Sequence, residues 1–201
     1  MRALFAPLIA AVIGAAPAAA PTNSLAEVSA HLRAVTTMTA DFVQTDQKGK
    51  TISGKLSLKQ PGRVRFQYQK GVPLLIIGDG SALWMIDYSV RQVSRWPVRD
   101  SPLSVLIDPR KDIGRFARVI ASPQPGAIAV EARDPKRPEF GTITIAFARG
   151  PGPAGLILQG WTVVDAQNGR SIVRLSNQRY GGSISDRAFK WDDPRPKGAS
   201  K

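Results

Sequence analysis

TISGKLSLKQPGRVRFQY, residues 51–68, decides the fold. In an extended chain Ile52, Gly54, Leu56 and Leu58 share one side, and Ser53, Lys55, Ser57 and Lys59 share the other. Pro61-Gly62 marks a turn. Beyond it Val64, Phe66 and Tyr68 alternate with Arg63, Arg65 and Gln67. A period of two means one face buried and one wet, the pattern of neighbouring strands in an antiparallel sheet.

The alternation continues in both directions. Upstream, 39–46 reads as a strand with Ala40 and Phe42 on one side. Downstream, 72–77 is apolar on both faces, and Asp79-Gly80 turns the chain into strands over 82–87 and 91–96. Strands resume at 128–133, 142–148, 156–164, 171–178 and 188–192, with Asn168-Gly169 as the strongest hairpin signal. Ser24 with Glu27 reads as the capping box of a helix that carries Leu25, Val28, Leu32 and Val35 on one face and ends near Thr36-Thr37. In the middle, Ser101-Pro102 opens a short, very apolar helical segment, Leu103, Val105, Leu106 and Ile107, stopped by Asp108-Pro109. A second helical stretch is expected over 112–117. The predicted fold is mainly β: an incomplete antiparallel β-barrel of about eleven strands, with an N-terminal helix and short lid helices.

The first twenty residues stand apart. Met1-Arg2 is a short positive start, 3–16 is apolar without charge, and Ala16-Pro17-Ala18 offers small residues to a signal peptidase. Residues 1–20 are therefore expected to be a cleaved secretory signal peptide, with 21–201 as a single domain. The apolar run is shorter than the roughly 20 residues that span a bilayer. The chain has no cysteine, so a cysteine-linked lipid anchor, disulfides and thiolate metal sites are not expected. Lys and Arg total 28 against 15 Asp and Glu, a formal charge of +13. The basic residues are scattered, and export argues against a nucleic-acid partner. Contact with membrane headgroups or a membrane-bound partner, and plain solubility, both account for the charge.

Catalytic chemistry finds little to work with. The one histidine, His31, sits on the N-terminal helix, where a surface or core-edge role is expected. No Gly-x-Ser-x-Gly elbow accompanies it. One histidine without cysteine does not make a zinc site. Asp192-Asp193 lies in a polar stretch, and 165–169 reads as a turn rather than a calcium loop. No catalytic residue, metal or cofactor is assigned, and binding is favoured over catalysis. The candidate binding residues are the apolar ones facing inward: Phe42, Leu56, Leu58, Val64, Phe66 and Tyr68. An ordinary packed core is the plain alternative. A sheet of about eleven strands, however, encloses more space than side chains alone fill.

Thr39-Ala40-Asp41-Phe42-Val43-Gln44, Ser53-Gly54-Lys55-Leu56, Lys59-Gln60-Pro61-Gly62-Arg63-Val64-Arg65-Phe66-Gln67-Tyr68, and Asp79-Gly80 with Leu83-Trp84 together resemble the LolA family of outer-membrane lipoprotein carrier proteins. Ser101-Pro102-Leu103 with Val105, Leu106 and Ile107 resembles the family's lid helix, and Phe189-Lys190-Trp191 resembles its closing strand. The resemblance covers nearly the whole mature chain. It implies a half-open barrel under a helical lid and a periplasmic, monomeric carrier without catalysis. Such a carrier takes lipoproteins by their acyl chains from an inner-membrane ABC transporter and delivers them to an outer-membrane acceptor. The family often has arginine before the proline, where it latches the lid. Here that position is Gln60, so Gln60, Arg63 and Arg65 are the latch candidates. Two alternatives stand beside this reading: a periplasmic binder of another lipid on the same fold, and an exported hydrolase using Asp or Ser without histidine.

Overall fold

The computed structural model describes residues 24–97, 113–122 and 124–196. The expected signal peptide and the segment with Leu103, Val105, Leu106 and Ile107 lie outside the described residues. One helix, α1 (Ser24–Ala34), precedes eleven strands. These are β1 (Thr37–Thr45), β2 (Thr51–Lys59), β3 (Arg63–Tyr68), β4 (Leu74–Asp79), β5 (Ala82–Asp87), β6 (Gln92–Pro97), β7 (Ala117–Ile120), β8 (Ala127–Arg133), β9 (Thr142–Arg149), β10 (Leu156–Val164) and β11 (Arg170–Tyr180). They form one sheet in the order β6-β5-β4-β3-β2-β1-β11-β10-β9-β8-β7. Every ladder is antiparallel. Two meanders are thus joined where β1 meets β11, and the sheet is open at β6 and β7.

The sheet curls strongly. Phe66 on β3 and Trp161 on β10 stand edge to face with ring centroids 5.9 Å apart. Four strand spacings separate β3 from β10, which in a flat sheet would be roughly 19 Å. The expected incomplete barrel is therefore the fold.

The inward faces make one main core. Phe42, Leu56, Val64 and Tyr68 from one meander, Val130, Ile145, Phe147 and Leu156 from the other, and Val28 and Leu32 from α1 belong to it. Fully burying such side chains stabilises the fold by about 1.5–3 kcal/mol each. β4 is apolar on both faces, as its sequence required. Leu74 and Ile76 pack on the main core, while Leu75 and Ile77 join Ile86, Trp84, Val93 and Trp191 in a second cluster on the opposite face of the sheet.

Gly54 in the Gly-x-Leu motif has a packing reason. It pairs with Phe42, and a Cβ there would run into the Gln67 backbone carbonyl and stand 2.7 Å from the Phe42 ring.

The structure corrects several local expectations. The capping box does not form: Ser24 is helical, its Oγ is buried without a hydrogen-bond partner among the described residues, and Glu27 pairs with Arg149 at 2.7 Å. The helix ends at Ala34, because β1 already begins at Thr37. The stretch expected as helix over 112–117 is a 3-10 turn at Ile113–Arg115, and Ala117 already starts β7, a strand the sequence pattern did not reveal. The expected strand over 188–192 is absent. Asp186–Phe189 is a 3-10 helix, with Ser185 Oγ accepting from Arg187 N at 3.3 Å. The carbonyls of Ala188 and Lys190 accept from the Arg65 guanidinium at 3.1 and 3.0 Å instead of joining a ladder.

Candidate functional site

The inner faces of β1–β3 and β10, with one face of α1, enclose a cleft of about 310 Å³. Five of the six residues singled out from the sequence line it: Leu56, Leu58, Val64, Phe66 and Tyr68. Phe42 does not. It is 1 % exposed and sits behind the wall, edge-on to Phe66 and Tyr68 at 5.4 and 5.2 Å. It holds those two rings upright rather than offering a surface of its own. The volume lies at the low end of the roughly 300–1,000 Å³ range for small-molecule sites.

The cleft has a second wall that periodicity did not reveal: Leu158, Trp161 and Val163 of β10, with Ile143 of β9 and Val173 of β11. Its phase hides it. Leu158 pairs with Phe147, but Gly160 pairs with Ala146, so the register slips between them. After this bulge the inward face passes from even to odd numbers. Side chains fill the gap in the ladder. Tyr180 Oη accepts from Leu158 N at 3.2 Å, and Gln178 Nε2 donates to Leu158 O at 2.8 Å. The slip itself was the only available signal, and it is invisible without the partner strand.

His31 also lines the cleft and is 1 % exposed, buried more deeply than the expected surface or core-edge position. Its Nδ1 is 2.7 Å from the Pro153 carbonyl, and its ring stands edge-on to Phe147 and Tyr180. Burial lowers its pKa, partly offset by the bond to Pro153, so the neutral ring is favoured. With Nδ1 donating to the carbonyl, Nε2 carries no proton. No hydroxyl nucleophile is hydrogen-bonded to this ring among the described residues. Groups of three or more His, Asp or Glu able to hold a metal are likewise absent among the described residues.

One end of the cleft is at Gln60, Gly62 and Arg63, with Trp96 nearby and 45 % exposed. Gln60 Oε1 accepts from Gly62 N at 3.0 Å and so holds its own turn. Arg63 and Lys59 both reach Asp186 at 2.6 Å. With the Arg65 bonds to Ala188 and Lys190, they fasten the 186–190 segment, and Trp191 follows it onto the second cluster. Bonding from Lys59 and Arg63 holds the Asp186 carboxyl below its ordinary value. The other end of the cleft is polar. Tyr68 Oη donates to Gln44 Oε1 at 2.8 Å, and Gln44 Nε2 donates to Ser171 Oγ at 3.2 Å. Burial pushes the Tyr68 hydroxyl up to about 12, so it remains a neutral donor. No helix of the described residues is long and apolar enough to cross a membrane.

This chain is similar to several known proteins. A curated outer-membrane lipoprotein carrier protein of Chromobacterium violaceum is 29 % identical over 205 residues, covering 97 % of this chain and 96 % of its own. Another carrier of that name, from Coxiella burnetii, is 24 % identical over 148 residues, covering 71 % of this chain and 67 % of its own. Among solved structures, a LolA superfamily protein of Nitrosomonas europaea aligns with a TM-score of 0.46 and 11 % identity, over 86 % of this chain and 99 % of that one. The family model "Outer membrane lipoprotein carrier protein LolA" matches residues 33–192. With most of its length under that model, the chain belongs to the LolA family.

Proposed function

We propose that this protein is a periplasmic carrier that shields lipoprotein acyl chains in the cleft and moves them from an inner-membrane ABC transporter to an outer-membrane acceptor. The apolar cleft carries the reading: Leu56, Leu58, Val64, Leu158 and Val163 line unfilled space beside the Phe66–Trp161 ring contact. An acyl chain costs about 0.8 kcal/mol per methylene in water, so a chain of about sixteen carbons costs on the order of 12 kcal/mol. Unaided passage through an aqueous compartment is therefore closed to a lipoprotein. Residues 1–20 direct export and are removed. The segment with Leu103, Val105, Leu106 and Ile107 serves as the lid, and Gln60 and Arg63, which line one end of the cleft, stay its latch candidates, whereas Arg65 is taken up by the 186–190 segment. The protein works as a monomer, binds no nucleic acid and catalyses no reaction.

Native mass spectrometry of the protein isolated from a periplasmic fraction tests this. A lipoprotein adduct is the expected result. A small free lipid in its place means a carrier of another lipid on this fold, and turnover of an ester substrate means a hydrolase. A Val64→Glu variant, which puts a carboxylate against the cleft, is expected to impair uptake or release. Normal lipoprotein delivery in a cell that depends on that variant refutes the assignment.

A further inference from the structure

The Phe-x-Gln motif ends at Gln44, whose position has no part in the carrier reading so far. Gln44 is the inward residue near the end of β1, Tyr68 is the last residue of β3, and Ser171 is the second of β11. Their hydrogen bonds run in series, Tyr68 to Gln44 to Ser171, across the interior from β3 to β11. Beyond this belt lies a second cavity of about 630 Å³, and Gln44 lines both. The second cavity differs in chemistry. Asp46, Lys50, Thr51, Gln69 and Asp87 line it, with Ile52, Val72 and Leu74. The apolar cleft therefore stops at three buried or half-buried polar side chains, with ionic and amide groups behind them.

The length of the cleft follows from the strand. Its two lining residues on β1, Met38 and Gln44, lie six residue steps apart, roughly 20 Å at about 3.3 Å per residue, with Phe42 behind the wall between them. Tetrahedral carbons with bonds near 1.5 Å advance roughly 1.3 Å each, so an extended chain of about sixteen carbons spans the same distance. A longer chain must break the belt, leaving buried polar groups without partners, or bring its methyl end among the charges of the second cavity. Both oppose the gain from further methylenes.

We infer that the Tyr68–Gln44–Ser171 belt is a stop that sets the acyl length this carrier holds best, at about sixteen carbons. The inference rests on the carrier reading and adds a specificity determinant to it. Each methylene added within the cleft is expected to raise affinity about fourfold, equivalent to ~0.8 kcal/mol. Past the belt the gain fades.

The test is displacement of a fluorescent fatty-acid probe by saturated fatty acids of 12, 14, 16, 18 and 20 carbons, below their micelle-forming concentrations. In the natural protein affinity should climb steeply to sixteen carbons, then change less than twofold at eighteen. In a Gln44→Leu, Tyr68→Phe, Ser171→Ala variant the climb should continue to eighteen, by about sixteenfold at about fourfold per methylene. Ser171→Ala alone removes one bond and no volume at Tyr68. It gives a smaller shift in the same direction and covers the case in which the triple variant does not fold. An unbroken climb to twenty carbons in the natural protein overturns the stop while leaving the carrier reading intact, and so does a plateau that the variants do not move. Failure to bind any length overturns the carrier reading itself.

Discussion

Truncating Leu58 and Ile145 to alanine measures whether the interior is truly under-filled. Both lie within strands, so the intrinsic strand preference of alanine weighs on each alike. They differ in what surrounds them. Ile145 is 0 % exposed, lies in the main core, pairs with Val130 and Trp161, and is not part of the cleft wall. Leu58 is only partly buried and faces the cleft. A closed site loses the transfer free energy of the deleted carbons and gains a cavity, which for such truncations costs about 2–5 kcal/mol. We expect about 3–4 kcal/mol at Ile145. At Leu58 one side already lacks partner atoms, so both contributions shrink, and we expect about 1 kcal/mol. Urea unfolding of delipidated protein reads the difference as a shift in midpoint at constant slope. The reverse substitution, Leu58→Phe, grows into empty space and should be neutral or stabilising. In a filled core such overpacking costs about 1–3 kcal/mol. Equal losses at the two positions, with Leu58→Phe destabilising, would refute an open cleft.

Gly54→Ala should destabilise the protein by about 1–3 kcal/mol, because its Cβ meets first the Gln67 backbone carbonyl and then the Phe42 ring. Phe42→Leu in the same chain should recover part of that loss, and a double-mutant cycle in urea measures the coupling. His31 has a lowered pKa, so below about pH 6.5 the unfolded chain binds more protons than the folded one, and stability falls as pH drops until the native ring also titrates. Thermal unfolding between about pH 7 and pH 5 should show this fall, and His31→Gln should flatten it at the cost of lower stability at neutral pH. Asp186→Asn or Arg65→Gln should free the 186–190 segment from β2 and β3. Amide exchange in that segment and around Trp191 should rise, while β8–β10 stay protected.

The legible and illegible parts of the chain differ for a physical reason. β2 and β3 each have one more exposed face, so alternation fixed both their existence and which residues point inward, and β4 declared itself by being apolar on both faces. β7 is a four-residue edge strand, too short for a period to show. The inner wall on β10 was hidden by the register slip before Gly160, which reverses the parity that alternation relies on. The 188–192 stretch has strand-like residues, but their carbonyls are captured by Arg65, a tertiary contact that local sequence does not encode. Phe42 faces inward, as alternation indicated, but does not line the cleft. Alternation reports a face, not the depth at which a side chain stands behind its neighbours.

The open edge gives the cleft its use. The sheet order ends at β6 and β7, so no ladder joins these two strands. In a closed barrel, widening the interior would break a row of backbone hydrogen bonds and leave their groups unsatisfied. Here, parting the two edges breaks no such row. A guest hydrocarbon still gains roughly 25 cal/mol for each Å² of apolar surface it buries. Entry and exit therefore leave the backbone ladders intact, and only the burial of the guest's own surface is gained or lost. An open edge of this kind suits a cleft that takes hydrocarbon up and gives it up again.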